Sequence, residues 1–288
     1  MYREILSMLA CPECGNELNL TADDGQIDDL DSGQLQCTQR HVWPIEDGVA
    51  VFTREDAPSD PWSRSFAAYE KFVANKEFWI PNSAKEVEPI IQSLPRQTEG
   101  PHLDLCTGDG RLLFNLLRRF EPGTPVVSVD MSLHAQKLNH RYATERNHAG
   151  ISFISADAAN LPFVPNAFRS IAALGLGNTM GKMEASIREA VRVLTPNGCF
   201  AMSHFFVGER SRGWERFEEA LLSLGEQTSG YVSSERQFGS LLNSPEIRHT
   251  IDETESVVGD PDRDIEAGPI FPYPNESMKK VIVVIEKQ

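Results

Sequence analysis

The stretch that decides the fold is His102-Leu-Asp104-Leu-Cys106-Thr-Gly108-Asp-Gly110-Arg-Leu-Leu113. An apolar run ends on a carboxylate and a thiol, passes two glycines one residue apart, and continues into helix-forming sequence. Glycine lets a backbone approach a ligand closely, and a helix starting there offers free N–H groups. Such a turn lies at the carboxyl end of a strand, where open α/β sheets bind ligands. A dinucleotide fingerprint needs a third glycine three residues after the second. Here Arg111, Leu112 and Leu113 follow Gly110. Asp104 at the strand end suits a cationic ligand and repels a pyrophosphate.

Outward from this stretch, strands and helices alternate. Strand candidates are 102–106, 125–130, 151–155, 170–175 and 198–204, with helix candidates at 110–120, 132–147 and 182–194. The alternation predicts a parallel sheet with helices on both faces. Asp130 ends the second strand 20 residues after Gly110, where an acidic residue accepts hydrogen bonds from ribose hydroxyls. The tail holds amphipathic stretches at 213–224 and 235–242. Two more strands, near 247–257 and 279–286, are expected to pair antiparallel at a sheet edge. Upstream, Ser83 with Glu86 reads as a capping box that opens a helix to Leu94. Trp62, Phe66, Tyr69 and Val73 recur at helical spacing. That face is either core packing or a lid over the ligand.

The first 52 residues form a separate unit. Cys11-Pro-Glu-Cys14 and Cys37-Thr-Gln-Arg-His41 give the spacing C-x2-C-x22-C-x3-H. Two residues between thiolates let both sulfurs reach one ion, and the second pair completes a tetrahedral shell. Four protein ligands predict a structural zinc rather than a catalytic one. A unit this small buries too little apolar surface by itself, so a metal staple is physically reasonable. The unit ends at Val49-Ala50-Val51-Phe52. Residues 53–61, polar with two prolines, read as a linker, and 62–288 as the large domain. Each unit is expected to have its own core, so that losing the metal would unfold residues 1–52 alone.

Of 288 residues, 42 are acidic and 27 basic, a formal net charge of -15. A field of that sign repels phosphate backbones and argues against a nucleic-acid substrate. Arginine outnumbers lysine 19 to 8, and an acidic, lysine-poor surface also fits a salt-adapted source. No apolar run is long enough for a membrane span, and Met1 to Ala10 lacks the pattern of a secretory signal. Three of five cysteines crowd into the first 37 residues, which reads as a metal site in a reducing compartment. A cytoplasmic location is the expectation.

The glycine stretch resembles motif I of class I S-adenosylmethionine-dependent methyltransferases, with Cys106 where the first glycine is usual. Leu161-Pro-Phe163, Phe168 and Glu189-Ala-Val-Arg-Val-Leu-Thr-Pro-Asn-Gly198 are similar to further segments of that family. Arg169 stands where Asp is common, and Asn197 where Gly is common. The resemblance, over about residues 84–205, implies a Rossmann-like, doubly wound, mostly parallel seven-stranded sheet. It implies S-adenosyl-L-methionine as cofactor, on Asp104, Cys106, Gly108, Gly110, Asp130, Met131, Asp157, Ala158 and Leu174. Asp157 is expected at the adenine amino group. Residues 9–52 resemble the Trm112-like zinc ribbon, which occurs alone as a methyltransferase activator and fused to methyltransferases, including bacterial 23S rRNA guanine methyltransferases. The segment Leu174-Gly-Leu-Gly-Asn178 is similar to a region of quinone-biosynthesis methyltransferases.

Methyl transfer from a sulfonium is an in-line displacement, and alignment and proximity supply much of the rate. A base is needed only where the nucleophile carries a proton. His102 begins a strand, at the wrong end for the site. His134, His140 and His148 read as solvated positions along one helix. His204, closing the strand Cys199–His204, is the candidate acid/base or acceptor contact. The expected activity is methyl transfer to a small-molecule acceptor. Two alternatives stand beside it: an rRNA or tRNA base methyltransferase, suggested by the ribbon fusion, and a non-catalytic methyltransferase-like scaffold.

Overall fold

The first short strands come from the cysteine-rich unit. Leu18–Leu20 (β1), Gly33–Cys37 (β2), Val42–Glu46 (β3) and Val49–Val51 (β4) form an antiparallel meander after a 3-10 turn at Arg3–Met8. The computed structural model describes residues 1–21, 29–53, 76–95, 100–121, 123–176, 183–208, 211–212, 215, 234–262 and 272–288. The expected helix face at Trp62, Phe66, Tyr69 and Val73, the linker at 54–61, nearly all of 213–224 and Asn178 lie outside the described residues.

The large unit alternates as its pattern predicts. Its strands are His102–Leu105 (β5), Val126–Asp130 (β6), Ile151–Ser155 (β7), Phe168–Ala173 (β8), Leu194–Val207 (β9), Ile247–Val258 (β10) and Ser277–Lys287 (β11). The helices are Lys76–Asn82 (α1), Ala84–Ser93 (α2), Arg111–Leu116 (α3), Leu133–Glu145 (α4), Met183–Val193 (α5) and Glu235–Leu241 (α6). β5 is buried at every position, and β8 at all but Arg169. That near-continuous burial is the signature of strands covered on both faces. On α5, Met183, Ser186, Ile187, Ala190 and Val193 turn inward at helical spacing.

The seven strands of the large unit order as β7-β6-β5-β8-β9-β11-β10, but the sheet does not stop there. β4 pairs in parallel with β7, Val49 opposite Phe153 and Val51 opposite Ser155. The expected seven-stranded sheet is therefore eleven-stranded, order β1-β2-β3-β4-β7-β6-β5-β8-β9-β11-β10. Pairing is parallel from β4 through β9 and antiparallel at both ends.

The two units also share one core, against the expectation of separate ones. Ile5, Leu9, Trp43 and Phe52 belong to the same buried cluster as Leu103, Val129, Phe163 and Phe200. Residues 8–12 run antiparallel to 160–164: Val164 N–H donates to Met8 O at 2.9 Å, Ala10 N–H to Pro162 O at 3.0 Å, and the Asn160 amide to Pro12 O at 3.3 Å. His140, expected in solvent, packs edge-on against Phe153 at 5.5 Å and fills the space beside Gly48. His134 and His148 are exposed as expected. The capping box at Ser83 is absent. Its hydroxyl donates to Ile80 O because α1 runs almost directly into α2, and Glu86 instead binds Arg111.

Gly48 tests the joint between the units. Its φ is +78°, and an added Cβ would lie 2.3 Å from the His140 ring. A left-handed L-residue costs roughly 1–2 kcal/mol before any clash. Gly48→Ala should therefore lose at least ~2 kcal/mol in urea unfolding. The transition should stay single, because the core is continuous. A mutant as stable as wild type would remove this contact from the joint.

Candidate functional site

Two sites can be built from the described residues. In the ribbon, Cys14 and Gly15 N–H both donate to Cys11 O, bending residues 11–15 into a knuckle. Cys37 N–H donates to His41 O and Arg40 N–H to Cys37 O, which form the second bend. The four donor atoms of Cys11, Cys14, Cys37 and His41 all lie within 4.8 Å of one another. Cys11 Sγ is 3.4 Å and Cys37 Sγ 3.5 Å from His41 Nδ1, and Cys14 Sγ is 3.6 Å from Cys37 Sγ. The edge of a tetrahedron built on Zn–S bonds is roughly 3.7 Å. The donor set fits a closed zinc shell.

The second site lies at the carboxyl edge of the sheet. After β5 the chain turns through three left-handed residues: Cys106 at φ +59°, Gly108 at +54° and Gly110 at +83°. Glycine takes this conformation freely, whereas Cys106 is strained there. The turn is held from several directions. Thr107 Oγ1 sits 2.8 Å from Ser128 Oγ, which donates to Gln136 Oε1 at 3.0 Å, and the Gln136 amide donates to Ile154 O at 3.1 Å. This buried chain ties the turn after β5 to the middle of β6 and, through Gln136, to β7. Asp130 accepts from Gly108 N–H at 2.8 Å and Ser132 N–H at 2.9 Å.

Asp104 is wholly buried, and neither carboxylate oxygen has a hydrogen-bond partner. Burial pushes its carboxyl up to about 7, and the like charges of Asp130 and Asp109 push the same way, while the nearby Thr107 hydroxyl, outside hydrogen-bond geometry, opposes the shift. A buried acid without a hydrogen-bond partner beneath a glycine turn could answer a cation there. Cys106 is likewise pushed up by burial and three nearby carboxylates, so its thiol stays protonated. Asp157 caps the turn after β7, accepting from Ala159 N–H at 2.9 Å, and Ala158 is buried beside it. Met131 and Leu174 lie half-buried at the ends of β6 and β8, so these residues converge on one edge.

His204 stands two residues past Met202, which pairs with Ala173 at the end of β8. Its ring stacks on Phe238 at 4.5 Å and meets Phe206 edge-on at 5.5 Å. Burial lowers it to about 4, so it is neutral at neutral pH. His102, at the other end of its strand, is also buried and neutral. Its Nδ1 lies 2.8 Å from Ser170 Oγ and its ring packs on Phe120.

The family-like segments have structural work too. Glu189 accepts from Leu161 N–H, and Arg192 donates to the carbonyls of Leu161 and Phe163. The Glu–Arg pair thus clamps Leu161-Pro-Phe163 in place. The two departures meet each other: Arg169 donates to Pro196 O, beside Asn197 at φ +59°. Sequence reasoning missed Lys76, Gln136 and Asn139. Gln136 and Asn139 leave a trace, as polar residues on the inward face of α4 with Ala135 and Ala143. Lys76 leaves none.

A family model described as a methyltransferase domain matches residues 97–240, half of the chain, and one described as Trm112p-like protein matches 3–48. The ubiquinone/menaquinone biosynthesis C-methyltransferase UbiE of Pseudomonas putida strain F1 is 36% identical over 105 residues, covering 36% of this chain and 41% of its own length. The UbiE of Ectopseudomonas oleovorans is 39% identical over 98 residues, 33% of this chain and 57% of that protein. The chain thus spans about two fifths to three fifths of these curated relatives. Among solved structures, the YcgJ protein from Bacillus subtilis superposes with a TM-score of 0.56 at 15% identity, over 70% of this chain and 97% of that one. Geranyl diphosphate C-methyltransferase from Streptomyces coelicolor A3(2), in complex with Mg2+, geranyl diphosphate and S-adenosyl-L-homocysteine, gives 0.54 at 18% identity, over 72% and 77%. These likenesses show the fold.

The ribbon geometry predicts one zinc per chain by elemental analysis. Because the core is shared, chelation should lower the melting temperature of the whole chain in one transition. Loss of the ribbon alone, with the remaining signal melting as before, would contradict that coupling.

Proposed function

The chain belongs to the methyltransferase-domain family, and on that premise we propose that it transfers a methyl group from S-adenosyl-L-methionine to a small-molecule acceptor. The observation that carries this reading is Asp104, a wholly buried carboxylate without a partner under the glycine turn. A ligand with an ammonium and a sulfonium answers that charge, and a pyrophosphate does not. In this reading Asp104, Cys106, Gly108 and Gly110 hold the amino-acid end of the cofactor. Asp130 takes the ribose hydroxyls beside Met131, and Asp157 with Ala158 the adenine. Leu174 lines the cofactor cleft from the end of β8. The chain divides at 1–52, 53–61 and 62–288, with a structural zinc in the first part and a cytoplasmic location. No described helix is long and apolar enough to cross a membrane.

When bound, the cofactor supplies an electrophilic methyl group. What the residues do is align and exclude water. Burial among Phe206 and Phe238 lowers His204 to about 4, which leaves it neutral and only weakly basic near neutrality. We assign it a neutral ring in the acceptor wall. The relatives named as C-methyltransferases act on carbon by their own names, and an apolar aromatic wall agrees with a small organic acceptor. A nucleic-acid substrate finds less support. Arg111, Lys137, Arg188, Arg192, Arg248 and Lys279 each already hold a carboxylate. Arg118 and Arg119 close the 3-10 turn after α3, at the end away from the glycine turn.

Two experiments test this. Calorimetry with S-adenosyl-L-methionine should show affinity rising as pH climbs through about 7, the value to which burial raises Asp104. The sign follows from the ligand's charge: ionised Asp104 attracts it, protonated Asp104 does not. Below 7 the affinity should fall by up to about tenfold per pH unit. Asp104→Asn should flatten this limb, and Asp130→Ala should cost roughly 2–4 kcal/mol by removing two charge-assisted hydrogen bonds. A pH-independent wild type would take Asp104 out of the site.

The second experiment supplies labelled cofactor with total RNA and with a metabolite extract. Label should enter low-molecular-weight material only. His204→Phe should leave the neutral pH profile unchanged, where removal of a base would erase a limb. Salt-sensitive RNA binding with label in RNA would instead support an rRNA or tRNA methyltransferase, and no label anywhere a non-catalytic scaffold.

A further inference from the structure

Lys76 is a buried cation with no place in the reading so far. It opens α1, upstream of the methyltransferase match at 97–240, and is 6% exposed. Its ammonium donates to the backbone carbonyl of Asp109 and, at 2.6 Å, to Asn139 Oδ1. It also sits over the rings of Phe114 at 5.7 Å and Tyr142 at 5.8 Å. Two oxygens and two aromatic faces thus cage it. Asn139, itself wholly buried, passes the contact on: its amide donates to the carbonyl of Gly108 at 3.0 Å.

We propose that Lys76 is a positioning residue, which grips the Asp109 carbonyl directly and the Gly108 carbonyl through Asn139, holding the glycine turn from behind and presetting its ligand-facing shape. A peptide unit is planar and trans, so its N–H points opposite to its C=O. Holding Gly108 O against α4 aims the Asp109 N–H away from the protein interior. Holding Asp109 O orients the next unit, whose Gly110 N–H donates to Thr107 O at 3.0 Å. Gly108 N–H is fixed in turn by Asp130 Oδ2. The peptide units of the turn are therefore locked before a ligand arrives, which lowers the ordering cost of binding.

The cage also explains a glycine. An added Cβ at Gly110 would meet Phe114 at 2.7 Å and Asn139 Oδ1 at 2.8 Å. Gly110 is thus demanded by the side chains behind the turn as well as by its φ. Burying an ammonium is costly unless it is paired and hydrogen-bonded. A methionine would fill the same channel more cheaply, so the charge serves the two oxygens. Burial lowers Lys76 to about 8, and the nearby Asp109 carboxylate opposes that shift and keeps the ammonium protonated near neutrality.

The proposal rests on the cofactor reading, and its test separates the two. The full chain, labelled with 15N-glycine, is compared as wild type and Lys76→Met. The Gly108 and Gly110 amide signals should shift and broaden in the variant, while those of Gly15 and Gly259 stay in place. Calorimetry should show S-adenosylhomocysteine binding about tenfold weaker. A general packing defect would lower the melting temperature without singling out these two amides. Should Lys76→Met not fold, Lys76→Gln, which keeps one donor, is read in the same way and should give an intermediate loss. Unmoved glycine signals with wild-type affinity in the variant would overturn the proposal. A wild-type chain that does not bind S-adenosylhomocysteine would overturn the cofactor reading itself, while the glycine signals still decide whether the grip exists.

Discussion

The free edge of β7 is the constraint on which the architecture turns. A strand edge leaves a row of N–H and C=O groups that must find partners. Here β4 supplies them over Val49–Val51, and Phe52 N–H continues the contact to Ser155 O. The rest of the joint is organised around this pairing. Lys137 of α4 reaches Glu46 and Asp47, His140 closes on Gly48, and residues 8–12 lie along 160–164. A unit too small to fold on its own core therefore borrows one, and the zinc donors hold the small contribution that remains local.

The same logic operates at the glycine turn. Three left-handed residues within five positions are costly unless surroundings fix them. Behind the turn stand Asn139 and Lys76, beneath it the Thr107–Ser128–Gln136 chain, and beside it Asp130. Every one of these groups is polar and most are fully buried, so the turn is shaped by hydrogen bonds rather than by apolar packing. Asp104 is the exception. It is buried at the same depth, and neither of its oxygens finds a hydrogen-bond partner.

The large unit was legible because its signals are local. β5, β6 and β7 fall within a residue of their expected bounds, since the apolar runs give way to the glycine turn after β5, to Asp130 at the end of β6 and to Asp157 after β7. The four metal donors are legible for a similar reason: short spacings fix short distances. What the sequence concealed is the joining of the units. Val49-Ala50-Val51-Phe52 reads alike whether it finishes a small core or extends a large sheet. His140 and His204 fall into that gap as well. Helical or strand position gives the direction of a side chain, but the partner that buries it comes from a distant part of the chain: Gly48 for one, Phe238 for the other. Lys76 is hidden most completely, because a lone lysine ordinarily lies in water.

Strand addition within one chain has a kinetic meaning that strand addition between chains lacks. β4 and β7 are covalently connected, so separation of the ribbon is a unimolecular event that dilution does not favour. Tethered surfaces of this kind meet at effective concentrations on the order of millimolar. A free ribbon in solution would have to approach that concentration to displace the resident one at equal intrinsic affinity. The edge of β7 is for practical purposes a reserved seat. If the ribbon frees itself through local opening, it returns before a competitor arrives.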